Sequence, residues 1–495
     1  MTNPFPYSSD NKRYHTLNYY WHEKFGLKVF KVNLNAGFSC PNRDGTKGYG
    51  GCTFCSDLGS GDLAGNKNDD LITQFNKIKQ RLHKKWPHSK YIGYFQANSN
   101  TYAPVDVLKQ KYEPILKLDN VVGLTIATRP DTITKEVLDY LEDLNKRTYL
   151  TIELGLQTIH ERTANLVNRC YPLSCFIEAV KQLRKRHIEV VVHIINGLPY
   201  ETKEMMLETI KFLATRDIQG LKIHMLYLIN GTKLATFYKK NTLPILSKEE
   251  YIDIVCEQLA LLPPKMVIHR LTSDPVEETL IEPKWLLKKF IVLNDIDKKL
   301  HQSDIYQGFN LNILNRFRQI LRGNLQKKDL VIDATVGNGN DTLFLCNIVT
   351  EGHVYGFDIQ DTAINNTTNL LLKHKKNNYT LFKESHSNMI KVLPTLKDKV
   401  SAVVFNLGYL PGGHKKITTN YQTTIKAIRN SLWFLNNKGI CLIVVYPGHK
   451  EGQREAIGID KYLLKIKNDY QVKYYYNTVN NKAPYLISIK KPVNK

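Results

Sequence analysis

Three cysteines, Cys40, Cys52 and Cys55, sit close together near the N-terminus, and this constrains the chain more than any other feature. Eleven residues separate the first two and two separate the last two. The stretch between Cys40 and Cys52, PNRDGTKGYGG, is rich in glycine and turn residues, so the backbone there can wrap around something. The N-terminal run MTNPFPYSSDNKRYH has no apolar signal-peptide core, so the eight cysteines are expected to be reduced thiols. A cluster of three then points to metal or catalysis rather than to disulfides. Three thiolates suit an iron–sulfur cluster with one iron left open. A closed structural zinc site wants a fourth ligand, which His83 or His88 would supply only at irregular spacing. Cys170, Cys175, Cys256, Cys346 and Cys441 are scattered and read as small buried hydrophobes.

The 495 residues exceed one compact core and fit two or three domains. In the first 300 residues, apolar runs predict strands over 29–36, 91–97, 121–127, 149–156, 189–195 and 220–228. Amphipathic helical patterns alternate with them. Six strand-plus-helix units in sequence predict a parallel, partial (β/α)6 barrel with its site at the C-terminal ends of the strands. The cysteine cluster falls just after the first strand, which favours iron–sulfur over zinc. Residues 262–304 read as a closing extension. A second α/β pattern starts near Phe309, with strands predicted over 329–333, 353–357, 402–405, 440–445, 472–479 and 485–490. That is a doubly wound, Rossmann-like order. The expected domains are therefore 1–308 and 309–495.

No apolar stretch approaches the roughly 18 residues that span a bilayer, so no membrane is expected and the location is expected to be cytoplasmic. The net charge of +23 attracts polyanions, and nucleic acid is the commonest of these. A solvated, Lys-rich surface would give the same charge, so charge alone decides nothing.

In the second half, DATVGNGND follows an apolar strand and opens a helix. Gly337 and Gly339 let the backbone approach a nucleoside closely. Asp358 ends the next strand twenty-one residues past Gly337, which suits a carboxylate receiving ribose hydroxyls. A dinucleotide oxidoreductase would fit that much equally well. The run VVFNLGYLPGG then places Asn406 and Tyr409 just past a core strand. This spacing matches the Asn-x-x-Tyr element of methyltransferases that act on nitrogen. There the amide oxygen accepts hydrogen bonds from an amine and the aromatic face positions it. An alkylamine of pKa about 10 must be held neutral for its lone pair to react.

FSCPNRDGTKGYGGCTFC, YFQANSNTYAP, IELGLQT and HRLTSDP occur in order. With them the first part resembles the YtqA-like (MnmL) branch of radical S-adenosylmethionine (SAM) proteins, related to Elp3-type tRNA enzymes. The resemblance implies that Cys40, Cys52 and Cys55 hold a 4Fe–4S cluster, with SAM on the open iron as the source of a 5′-deoxyadenosyl radical. Within that frame Glu153, expected at the end of the fourth strand, would hydrogen-bond SAM, and Arg169 would pair with its carboxylate. Gln96 and Asn98 stand where many radical SAM proteins carry Gly-Gly-Glu. The Elp3-type acetyltransferase domain is missing.

The second part, with VYPGHKEG and the Asn-Lys-Ala-Pro ending, resembles YtqB-like (MnmM) class I methyltransferases. By that resemblance Asp333, Gly337, Gly339, Asp341, Asp358 and Gln360 bind a second SAM, while Asn406, Tyr409 and His449 face the acceptor. His414 replaces the usual Asp and Asn340 the usual His. Together the two resemblances imply tRNA wobble-uridine modification, with an electron donor such as flavodoxin or ferredoxin. A ribosomal-RNA target, an RNA-binding methyltransferase with an inactive radical half, and a small-molecule methyltransferase are the alternatives.

Overall fold

The computed structural model describes residues 3–59, 61, 64–241, 243–408, 419–476 and 483–491. The chain divides into two compact units, Met1–Gly308 and Phe309–Lys495.

The first unit is built on β1 (Val29–Leu34), β2 (Lys90–Phe95), β3 (Val121–Thr128), β4 (Tyr149–Gln157), β5 (Glu189–Asn196) and β6 (Gly220–Met225). A two-stranded ribbon, β7 (Leu228–Ile229) with β9 (Leu280–Glu282), follows, and β8 (Val267–Arg270) lies between them in sequence. The main sheet has the order β1-β2-β3-β4-β5-β6-β8 and is parallel throughout, with β1 and β8 as its edges. Parallel strands covered by helices are buried on both faces, which is why β2 and β5 read as nearly continuous apolar runs. Ordinary capping starts the intervening helices. Thr134 caps Lys135–Arg147, and Ser247 with Glu250 forms a reciprocal capping box on Lys248–Leu261.

The sequence predicts six strands here, and the structure has a seventh, β8, inside the expected closing extension. Four residues behind Pro263-Pro264 give too short a period to read from sequence. The edge of β8 is covered by the chain's own beginning: Ile268 N–H donates to the His15 carbonyl at 2.7 Å. That beginning is also sewn to the end of the unit. Arg13 pairs with Asp304 at 2.8 Å, His15 N–H donates to the Gln307 side chain at 2.9 Å, and Gln307 N–H returns to the Arg13 carbonyl at 2.9 Å.

The second unit carries β10 (Leu330–Asp333), β11 (His353–Asp358), β12 (Tyr379–Lys383), β13 (Val400–Asn406), β14 (Leu435–Val445), β15 (Gln471–Tyr475) and β16 (Tyr485–Lys490). Their order is β12-β11-β10-β13-β14-β16-β15, with β16 antiparallel to both of its neighbours. Counted from β10, this is 3-2-1-4-5-7-6. The order reverses between β10 and β13, and such a switch point opens the crevice where doubly wound folds bind ligands. Alternate residues of one strand feed different cores. Ile332, Phe405 and Ile443 pack on one face, and Val331, Val404 and Leu442 on the other. The sequence reading missed β12, whose YTLFK is a partly exposed edge strand without a clear apolar run. Among the described residues no helix is long and apolar enough to cross a membrane.

Candidate functional sites

The first site lies in the barrel of the first unit. The loop after β1 brings Cys40, Cys52 and Cys55 to the wall of one cavity of about 380 Å³. Backbone hydrogen bonds hold the loop: Arg43 N–H to the Cys40 carbonyl, Gly51 N–H to Asn42 and Cys55 N–H to Cys52, all between 2.7 and 3.0 Å. Cys52 and Cys55 hydrogen-bond to each other. That bond first, and burial second, push the Cys52 thiol above its ordinary range, against the opposing charge of Arg129. Fully buried Asn42 reaches the Cys52 sulfur with its amide N–H at 3.6 Å. Among the described residues no three Cys, His, Asp or Glu side chains converge on one metal position. The donor set nevertheless fits an iron–sulfur group: three thiols around one cavity, an N–H aimed at a sulfur and a nearby cation.

Gln96 and Asn98 line the same cavity, the latter in the left-handed region at φ 62°. One expected position needs correction. Glu153 is not at a strand end but in the middle of β4, on the floor of the barrel and fully buried. Its oxygens are engaged by Lys31 Nζ and Lys222 Nζ, each at 2.6 Å, and by His193 Nε2 at 2.9 Å. Burial would raise its pKa, but the Lys222 and Lys31 charges outweigh burial and hold it well below the usual carboxylate range. Arg169 is only 1% exposed and also lines the cavity. It donates to the carbonyls of Tyr171, Leu156 and Thr158 and to Glu161, so it braces the turn behind the cysteine loop.

The sequence reading missed three groups lining this cavity. Arg129, just past β3, is held bidentate by Asp131 at 2.9 Å and its guanidinium stacks on Tyr171. Lys31 and Lys222 look like ordinary lysines in apolar strands. Their inward direction follows only from the alternation of β1 and β6.

The second site lies where β10, β11 and β13 end. Asp333, the last residue of β10, accepts from Thr335 N–H at 3.2 Å and Thr342 Oγ1 at 2.7 Å, which folds the glycine-rich turn back on the strand. With neutral partners only, burial lifts its pKa to about 7. Asp358 ends β11 and accepts from Gly337 N–H and Gln360 N–H, both at 3.0 Å. Gly337 and Gly339 take φ values of 53° and 79°, and a Cβ on Gly339 would come within 2.7 Å of Thr367. Gln360 precedes the helix Asp361–Lys373.

Asp341 was expected on the cofactor. Its carboxylate accepts from Asn406 Nδ2 at 2.9 Å and Arg318 at 3.3 Å. A carboxylate only accepts, so this bond fixes the Asn406 amide with Oδ1 turned away from Asp341. His449 caps the helix Lys450–Ile466 by accepting from Gly452 N–H at 2.9 Å through Nδ1, which puts the neutral ring's proton on Nε2. Tyr409 and His414 lie outside the described residues. On either side of them, Thr419 N–H donates to the Gly408 carbonyl at 3.1 Å and Gly408 N–H to Thr419 Oγ1 at 3.0 Å. Buried Glu455, which the sequence reading did not single out, accepts from Thr419 and Thr424.

The folds and sites define a radical SAM protein joined to a class I methyltransferase. The radical SAM superfamily model matches residues 40–213, the radical SAM C-terminal domain 218–302 and the rRNA methylase family 354–490. YtqA of Bacillus subtilis is 56% identical over 308 residues, which is 62% of this chain and 96% of that protein. The chain belongs to the YtqA family of radical SAM proteins and carries a methyltransferase domain in addition. The chloroplastic tRNA (mnm(5)s(2)U34)-methyltransferase of Arabidopsis thaliana is 43% identical over 141 residues, 26% of this chain and 51% of that protein. The structure of SMU.1697c from Streptococcus mutans in complex with SAH is 31% identical, with a TM-score of 0.33, over 37% of this chain and 98% of that one.

Proposed function

We propose that the chain is a two-step tRNA wobble-uridine enzyme. The first unit converts a 5-carboxymethylaminomethyl group to 5-aminomethyl. The arm's N–CH2 carbon loses two electrons, with SAM as the oxidant, and leaves with water as a two-carbon oxo acid. The second unit N-methylates the amine to 5-methylaminomethyl. The reading is carried by one observation: a single polypeptide joins a thiol-lined radical SAM barrel to a methyltransferase domain with a relative named for that uridine. The charge of +23 is in keeping with an RNA substrate.

In the first unit Cys40, Cys52 and Cys55 would hold the 4Fe–4S cluster, reduced by a flavodoxin or ferredoxin. With SAM bound, that group supplies the hydrogen-abstracting radical that no side chain can provide. Asn42 and Arg129 donate hydrogen bonding and positive charge beside the thiolates. In the second unit Asp358, Gly337, Gly339 and Gln360 would cradle the nucleoside of a second SAM, with Asp333 bracing the turn. Asn406 Oδ1, set by Asp341, would accept an amine N–H and leave the nitrogen lone pair directed at the methyl donor. Tyr409 would pack on the acceptor, and His449, capping the next helix through Nδ1, would face it.

The test is anaerobic reconstitution, incubation with SAM and tRNA from cells lacking the gene, and nucleoside mass spectrometry with and without reductant. Conversion of carboxymethylaminomethyl to methylaminomethyl only with reductant is expected. No change in any wobble nucleoside overturns the reading.

A further inference from the structure

The floor of the first unit's barrel sets two lysines and two histidines around a single carboxylate. Lys31 and Lys222 both point at Glu153, so two amines share one carboxylate, and burial lowers Lys222 well below the ordinary lysine range although Glu153 opposes the shift. They also flank one aromatic ring, lying 4.7 and 4.6 Å from the centroid of Tyr94. Their side chains are 14% and 8% exposed, so little water reaches them. Around them stand imidazoles that burial keeps neutral: His193, lowered to about 4, and His269. The His269 side chain is 4% exposed and its Nδ1 has no hydrogen-bond partner; the nearest carboxylate oxygen, on Glu153, is 4.0 Å away. A buried lysine amine short of counter-charge and an unpaired buried ring nitrogen are both costly, and a second carboxylate would relieve both. All these groups line the cavity that the three cysteines reach.

The belt is set below the cysteine loop. Lys31, His193 and Lys222 each lie three residues before the end of their strand, whereas Cys40 comes six residues after β1 ends. It is therefore removed from the thiols where the methionyl end of SAM belongs. We infer that Lys31 and Lys222, with His193 and His269, form a binding site for a carboxylate presented end-on, the free acid of the substrate's carboxymethyl arm. The inference rests on the function proposed above and assigns the group that selects its substrate. A terminal carboxylate on a slender arm can reach such a floor, whereas an RNA phosphodiester carries a ribose on each side. Charge-assisted hydrogen bonds from two ammonium groups would also discriminate the acid from a neutral group of the same shape.

The test compares two anticodon stem-loop oligonucleotides, one with the carboxymethylaminomethyl arm and one with its primary amide. Their Kd values are measured at fixed salt on the reconstituted full chain without reductant, so that no turnover occurs. The wild type should bind the acid at least about tenfold more tightly than the amide. Lys31→Met and Lys222→Met should bring that ratio toward one, while the Kd of the amide and of SAM shift less than about twofold. A merely structural role would weaken acid and amide alike. If Lys222→Met does not fold, Lys31→Met decides, because Lys31 is the more exposed of the two. Equal wild-type affinities, or a preference that survives Lys31→Met, overturn the inference. So does a selective loss of SAM affinity, which would give the belt to the cofactor. A wild type that prefers the acid but leaves it unchanged after reduction counts against the proposed reaction and leaves the carboxylate site standing.

Discussion

Glu153 in the first unit and Asp333 in the second are buried to the same degree, 1% exposed as residues, and each closes off the inner end of a site. Glu153 faces two ammonium groups and stays ionised far below its ordinary range. Asp333 faces a hydroxyl and a peptide N–H, and its pKa climbs to about 7. Burial costs both carboxylates the same kind of energy; only counter-charge returns enough of it to keep the group charged. The first unit thus keeps an ionised carboxylate in its interior. The second holds an acid that is half protonated near neutrality and serves as a hydrogen-bonding brace.

The sharpest division between the units is the thiol set. Cys52→Ser should abolish the absorbance near 400 nm of the anaerobically reconstituted protein and leave SAM binding by the second unit untouched. Retained iron would end the assignment of Cys52. Next in size is the response to neutralising each buried acid. Glu153→Gln leaves two ammonium groups unpaired and should cost the first unit about 3–5 kcal/mol. Asp333→Asn imitates the protonated acid and should cost about 1 kcal/mol or less. Urea unfolding of the full chain, followed by a probe in each unit, measures both, and equal losses would break the comparison.

Asp341→Asn should lower methyl transfer about 10- to 100-fold, because the Asn406 amide loses its fixed orientation. The affinity for SAM should hardly move. A parallel loss of SAM affinity would return Asp341 to the cofactor, where the sequence reading placed it.

Smallest are two pH slopes of opposite sign. His193 has a folded pKa of about 4, below its unfolded value near 6.5, so the unfolded chain binds more protons between them. Its contribution to stability therefore rises with pH across that window. Asp333 has a raised folded pKa, so its contribution is full below about 4 and is lost as pH climbs toward 7. His193→Gln should remove the rise and Asp333→Asn the fall, each at most about 1.4 kcal/mol per pH unit.

Much of this was legible beforehand because long apolar runs and glycine-rich turns are local signals. All six strands expected in the first unit are present, as are the cysteine loop and the turn after β10. What escaped depends on contacts distant in sequence. Arg169 can be seen to grip three carbonyls only once β4 and the turn after it are in place. Asp341 meets Asn406 across sixty-five residues, a contact that spacing alone does not announce. Lys31 and Lys222, 191 positions apart in sequence, become neighbours only through the rolled sheet. Short β8 and half-exposed β12 carried too little periodicity to announce themselves.

The stitching of Arg13 and His15 to Asp304 and Gln307 has a consequence for how such a chain can be assembled. The first unit finishes by fastening its own beginning, one residue before Gly308, and Phe309 already belongs to the next body. A gene joined at that point lengthens the protein without reopening what has closed. A cut between residues 308 and 309 should leave two pieces that each keep their fold.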